Sequence, residues 1–189
     1  MIAIIEEITG QPLPEALGEM IYQPLGLTQT FHPGRVPACP VHPAASVWYK
    51  EKPLDIPQAM ACFKDPFSTV GDLLVFMRAL LRGELFDDPA TVRFMNGEWN
   101  RFGFSLSPVG PGWPIEYGLG MMRMAPPRFL TPFRPSPEFI GHTGATGSWL
   151  FYCPPLDLIL AGDVSQVTAA QVPFRFVPKL LRALKPYFN

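Results

Sequence analysis

Charge is scarce in this chain of 189 residues: only 16% are Asp, Glu, Lys or Arg, and 15 basic residues stand against 16 acidic ones. A net charge of -1, without any Lys/Arg run, offers no electrostatic footprint for a polyphosphate, so no nucleic-acid partner is expected. Long hydrophobic runs are lacking too. None approaches the roughly 18 residues that span a bilayer, and no membrane partner is expected. The opening Met1-Ile2-Ala3-Ile4-Ile5-Glu6-Glu7 has no basic n-region and meets two acids at once, which excludes a signal peptide in this sequence. Cysteine is confined to Cys39, Cys62 and Cys153, odd in number and without close spacing. That argues against a disulfide framework and suits a reducing compartment, cytoplasmic for the chain as given.

What is present is apolar and proline-rich. Hydrophobic residues make up 48% of the chain, and a domain of this length buries roughly 70% of its unfolded surface. There are 24 prolines, eight of them between Pro108 and Pro137, against a usual share of about 5%. Trp, Phe, Tyr and Met are mixed among them, so these stretches read as stiff, packed loops.

Helical spacing appears first. Ile2, Ile5 and Ile8 with Glu6 and Glu7 between them predict a helix over 2–9, stopped at Thr9-Gly10. No Ser, Thr, Asp or Asn caps its first turn, and the expectation is that the chain begins inside an element. A second helix is predicted over Pro14–Ile21, with Pro14 at its first position. Residues 31–60 read as loop with short extended pieces. The strongest helix is Thr69–Leu81: Thr69-Val70-Gly71-Asp72 has capping-box form, Val70, Leu73, Leu74, Met77, Leu80 and Leu81 make one stripe, and Gly83 sits where a C-cap belongs. Asp88-Pro89 opens a shorter helix ending near Asn96-Gly97. The period then changes. Strands are predicted at about 117–123, 138–143, 148–153 and 157–164, with Pro154-Pro155 turning between the last two, and Phe174–Leu184 returns to helix. Helices, then sequential strands, then a closing helix give an α+β fold with an antiparallel sheet meander and flanking helices. Residues 1–116 form its mainly helical and loop part, and 117–189 its strands and last helix, in a single domain.

Three stretches in this order resemble one family. They are Ile5-Glu6-Glu7-Ile8-Thr9-Gly10-Gln11-Pro12-Leu13 with Ile21-Tyr22-Gln23-Pro24-Leu25-Gly26-Leu27-Thr28-Gln29-Thr30; Phe67-Ser68-Thr69-Val70-Gly71-Asp72-Leu73 through Leu81; and Gly141-His142-Thr143-Gly144-Ala145-Thr146-Gly147-Ser148-Trp149. Tyr117-Gly118-Leu119-Gly120 fits before the third. Together they resemble the helical subdomain and last strands of the serine β-lactamase-like hydrolases: class C β-lactamases, esterases, D-aminopeptidases and penicillin-binding proteins. The resemblance covers about two thirds of the chain, while residues 31–60 and 84–116 match no pattern. It implies a partial β-lactamase/transpeptidase-like fold in a truncated domain.

That family's chemistry is acyl transfer through a serine, which needs a base beside the nucleophile and two N–H donors facing the oxyanion. It uses Ser-x-x-Lys, Tyr-x-Asn and a Lys-Thr-Gly or His-Thr-Gly strand. The resemblance places the third motif at His142-Thr143-Gly144, with the Ala145 N–H as second oxyanion donor. A histidine ordinarily titrates near about 6.5 and is mostly neutral at pH 7, so it lacks the fixed charge of a lysine there. This tilts the expected substrate from β-lactams towards a small ester or amide. The bland alternative is that His142 and Thr143 satisfy each other near a strand end.

The first motif is missing from this sequence. Three residues before Lys50, Lys52, Lys64, Lys179 and Lys185 stand Val47, Tyr49, Ala61, Phe176 and Arg182, none of them serine. Tyr187-Phe188-Asn189 has Tyr-x-Asn form but sits at a terminus, a poor place for a catalytic group. His32, Cys39, His42 and Cys62 are metal-ligating types, yet only Cys39-Pro40-Val41-His42 has zinc-like spacing, so neither metal nor cofactor is expected. The resulting expectation is the C-terminal part of a serine hydrolase, inactive alone. The alternatives are a non-catalytic binding module or a structural oligomer of that fold. Leu158, Ile159, Leu160 and Ala161 are apolar in succession, as in a strand covered on both faces, and the resemblance implies that strands from an N-terminal segment complete the sheet beside them. An edge left open there predicts a homo-oligomer.

Overall fold

The computed structural model describes residues 2–32, 45–54, 66–102, 112–128 and 135–188. Its centre is a six-stranded antiparallel sheet whose spatial order equals its chain order. The strands are β3 (Asn100–Arg101), β4 (Glu116–Tyr117), β5 (Met122–Met124), β6 (Phe139–Thr143), β7 (Trp149–Cys153) and β8 (Leu158–Gly162). A separate hairpin joins β1 (Val47–Tyr49) to β2 (Lys52–Leu54). The helices are α1 (Ile2–Thr9), α2 (Leu13–Leu17) with a following π-helical turn (Gly18–Tyr22), α3 (Val70–Arg82), α4 (Ala90–Met95) and α5 (Val172–Leu184). The meander with flanking helices agrees with the expected α+β class.

Alternation along the strands creates two cores. Met122, Met124, Phe139, Phe151 and Cys153 point to one face, against Phe174, Val177 and Leu181 of α5. Ile140, Leu150, Tyr152 and Ile159 point to the other, against Met77 and Leu80 of α3. Phe139 and Phe151 meet edge to face with ring centroids 5.0 Å apart. Each buried aromatic of this kind contributes about 1.5–3 kcal/mol relative to exposure. Among the described residues β3 and β8 are the edge strands of this sheet; in β8, Leu158 and Leu160 lean on the α5 core, Ile159 on the α3 core.

Three expectations need correction. Residues 117–123 are not one strand: Gly118 N–H donates to the Met121 carbonyl at 2.9 Å, and Gly120 takes φ +83, so β4 and β5 form a hairpin. Two glycines inside an apolar run marked a turn, because a left-handed residue costs glycine nothing. The sheet also begins earlier than expected, at Asn100, where two residues are too few to show a period. The capping box at Thr69 is only half formed. Thr69 Oγ1 accepts from the Asp72 N–H at 3.2 Å, but the Asp72 carboxylate turns away to accept from Gln29 N–H at 2.9 Å and Thr30 Oγ1 at 2.7 Å. Asp72 thereby ties the helical N-terminal segment to α3, with the Phe31–Phe67 bridge beside it. At the other end of α3, Gly83 takes φ +75 as the C-cap, and Arg82 closes the helix.

The free thiol at Cys153 is buried on the α5 face, and burial pushes its pKa up. A thiol reacts as thiolate. Cys153 should therefore resist a thiol-directed disulfide reagent in the native chain and react once denatured; stoichiometric native labelling at position 153, read by mass spectrometry, would contradict this placement.

Candidate functional site

The candidate site is the end of β6 and the turn that follows. Phe139 and Ile140 anchor the strand in opposite cores, which fixes where its last residues go. Gly141 lies opposite Phe151, and a Cβ there would stand 2.0 Å from the Leu150 carbonyl oxygen, so no other residue fits. His142 follows, exposed, on the face shared by Ile140 and Leu150. Its Nδ1 lies 2.8 Å from the Thr143 carbonyl. A carbonyl only accepts, so Nδ1 carries a proton and donates, which leaves Nε2 facing away from this contact. The ring meets Tyr117 edge on, with centroids 6.3 Å apart. The local contact of the bland reading thus exists, and it also orients the imidazole.

The turn is tightly built. Gly144 N–H donates to the Ser148 carbonyl at 2.9 Å, and Gly147 N–H to the Gly144 carbonyl at 3.1 Å. A Cβ on Gly144 would meet Ser148 Oγ at 2.1 Å, and Gly147 takes φ +83. Ala145 is exposed at the tip, and among the described residues its N–H has no backbone partner. On the opposite face Trp149 lies across Gly162, where a Cβ would be 2.3 Å from the indole, and packs on Phe176 of α5 at 5.9 Å. The row Thr143, Trp149 and Gly162 is therefore supported from below. His142, Thr143, Gly144 and Ala145 form one continuous ledge, exposed at His142 and Ala145 and half-buried between them.

A polar frame that the sequence did not reveal surrounds this ledge. Asp163 accepts from Thr146 Oγ1 at 3.2 Å and from Ser165 Oγ. Gln166 N–H donates to the Thr146 carbonyl at 2.9 Å, and Trp48 N–H to the Ser165 carbonyl at 2.8 Å. The Gln166 amide reaches the Lys50 backbone through both its oxygen and its nitrogen, each at 3.0 Å. The short gap from Thr146 to Gln166 carries no recognisable motif, and Lys50 lies 116 positions from Gln166.

The other sequence candidates fall elsewhere. His32 is buried with Nε2 3.1 Å from Tyr22 Oη, while Cys39, His42 and Cys62 lie outside the described residues. Burial pushes the Tyr22 hydroxyl up to about 12. Among the described residues no group of three or more His, Cys, Asp or Glu converges as metal ligands. Tyr187 is 82% exposed, and Asn189 lies outside the described residues. No helix among them is long and apolar enough to cross a membrane.

Comparison with known proteins gives consistent results. An Escherichia coli (strain K12) protein named "Putative D-alanyl-D-alanine carboxypeptidase" is 29% identical over 173 residues, covering 77% of this chain and 38% of that protein. A D-amino acid amidase from Ochrobactrum anthropi SV3 superposes with TM-score 0.68 at 21% identity, covering 100% of this chain and 55% of the amidase. A D-stereospecific amidohydrolase from Streptomyces sp. superposes with TM-score 0.59 at 24% identity, covering 93% and 51%. The chain thus spans about half the length of these solved relatives and less of the curated one. A protein-family model described as "Beta-lactamase" matches residues 2–171, and the chain belongs to the beta-lactamase family.

Proposed function

We propose that this chain supplies one wall of a serine acyl-transfer site that hydrolyses a small amide or ester. The observation that carries the reading is the ledge His142-Thr143-Gly144-Ala145 at the end of β6, exposed at its two outer residues. Gly141, just before it, has no room for a side chain, Gly144 packs against the Ser148 hydroxyl, and Ala145 presents a backbone N–H. An approaching acyl group needs such a close, side-chain-free backbone and a donor aimed at its oxygen. Thr143 and His142 position the substrate and handle its proton, the latter through Nε2. The names of the relatives support an amide beside a D-amino acid as the bond attacked.

No lysine here follows a serine by three positions, so on this reading the nucleophile and its lysine would come from a missing segment or another chain. That same absence favours one second reading, a binding module that keeps the ledge without the chemistry. A serine-reactive fluorophosphonate probe separates the two. Joined to a family segment bearing Ser-x-x-Lys and Tyr-x-Asn, the chain should label once per molecule, on that serine. A folded, completed protein that takes no label would leave only the binding module.

A further inference from the structure

Two non-glycine residues near the ledge hold left-handed backbone: Lys50 at φ +56 and Ser165 at φ +53. Such a conformation costs on the order of 1–2 kcal/mol and persists only where the surroundings fix it. Here Lys50 is fixed by the Gln166 side chain, and Ser165, its chain neighbour, by Trp48 and Asp163. Its amide oxygen accepts from Lys50 N–H and its amide nitrogen donates to the Lys50 carbonyl, which closes a two-point grip on the tip of the β1–β2 hairpin. Directly before it, the Ser165 carbonyl accepts from Trp48 N–H. On its other side the Gln166 N–H holds the Thr146 carbonyl, inside the Gly144–Gly147 turn. One residue therefore binds the hairpin with its side chain and the turn with its backbone. The Asp163 carboxylate, held to Thr146 and Ser165, keeps the two attachments in one frame.

We infer that Gln166 is a positioning residue that couples the β1–β2 hairpin to the Gly144–Gly147 turn and sets the direction of the Ala145 N–H. The physical step is short. With the amide grip intact, the 165–166 backbone cannot rotate without breaking two hydrogen bonds to Lys50. The Gln166 N–H therefore stays aimed at Thr146, one residue from Ala145. Without the grip, Ser165 is free to leave its strained conformation, and the turn loses that restraint. The consequence for catalysis rests on the reading of the ledge under Proposed function; the coupling itself does not.

Amide hydrogen exchange by NMR on the full chain tests the coupling without any activity. In Gln166→Ala the Trp48 and Lys50 amides should exchange about tenfold faster or more, the loss of two hydrogen bonds being of that size. The Gly144 and Gly147 amides should speed up with them, while those of 150–152 in the centre of the sheet stay as in the parent. Gln166→Glu keeps an acceptor for Lys50 N–H and loses the donor, so it should fall between the two; it also carries the test if the alanine variant does not fold. Unchanged exchange at Gly144 and Gly147 would show that the grip serves the hairpin alone, and uniform acceleration at 150–152 would reduce it to general stability. Either result overturns the inference. In a completed, active protein Gln166→Ala should lower kcat more than it raises KM, and an unchanged kcat would overturn it too. If the exchange results hold while the completed parent protein is inactive, the acyl-transfer reading fails and the coupling stands.

Discussion

On its own the chain should leave nitrocefin and p-nitrophenyl acetate at the background rate, and completion with a segment bearing Ser-x-x-Lys and Tyr-x-Asn should raise turnover by about four to six orders of magnitude. The size of the effect follows from what the ledge holds. On the proposed reading Ala145 would offer one N–H to an oxyanion, but the other donor in such a hole is the N–H of the nucleophile itself. Thr143 and His142 can orient a substrate, yet nothing in the ledge forms a covalent bond to it. In the completed protein His142→Ala should lower kcat/KM by about 10²–10⁴, the range for loss of a positioned proton-transfer group. His142→Lys should favour anionic substrates, because it adds a fixed charge at the mouth of the site. Thr143→Ala should cost activity through lost positioning. A saturable activity of the isolated chain that survives extensive purification would defeat the first half. Unchanged kinetics in all three variants would remove the assignment of 142–145.

The ledge was legible in the sequence because its determinants are local. Gly141, Gly144 and Gly147 lie within seven positions, and Gly141 and Gly147 answer to positive-φ backbone that favours glycine. Helix α3 was legible for the same reason: a stripe of period 3.6, a threonine cap and a glycine stop act within one element. The frame around the ledge was not. Asp163, Ser165 and Gln166 look like any polar loop, and their meaning comes from Thr146, Trp48 and Lys50, brought to them by the sheet and by the docked hairpin. The β4–β5 turn was missed on a different ground. Tyr117-Gly118-Leu119-Gly120-Met121-Met122 is apolar enough to read as one strand across its two glycines. The hydrogen bond from Gly118 to Met121 shows that they instead reverse the chain. Asp72 shows that a capping pattern can be half used, since its carboxylate serves a contact 43 positions away.

Ile159→Lys and Leu160→Lys should each unfold the chain or lower its melting temperature sharply, and the unsubstituted chain should sediment as a homo-oligomer. The two substitutions strike opposite cores. Ile159 leans on α3 and Leu160 on α5, so a lysine at either place must leave its core or drag a charge into it. Losing such an aliphatic contact costs about 2–5 kcal/mol, a large part of a domain's stability. The oligomer follows from the backbone of the same strand. β8 pairs with β7 on one side, and among the described residues no strand pairs on the other. Its outward N–H and C=O groups lie beside half-buried apolar side chains, a template for a further strand. On this expectation a second copy would meet that demand when the chain is alone, and a completing segment would meet it in a longer protein. Completion should therefore convert the oligomer to monomer and slow amide exchange over residues 158–162. The lysine variants separate core from edge: loss of fold in both, at any protein concentration, reports the cores, whereas a concentration-dependent melting temperature in the parent reports the edge. A parent chain that sediments as a monomer at high concentration, with the amides of 158–162 exchanging fast, would show that water alone satisfies this edge.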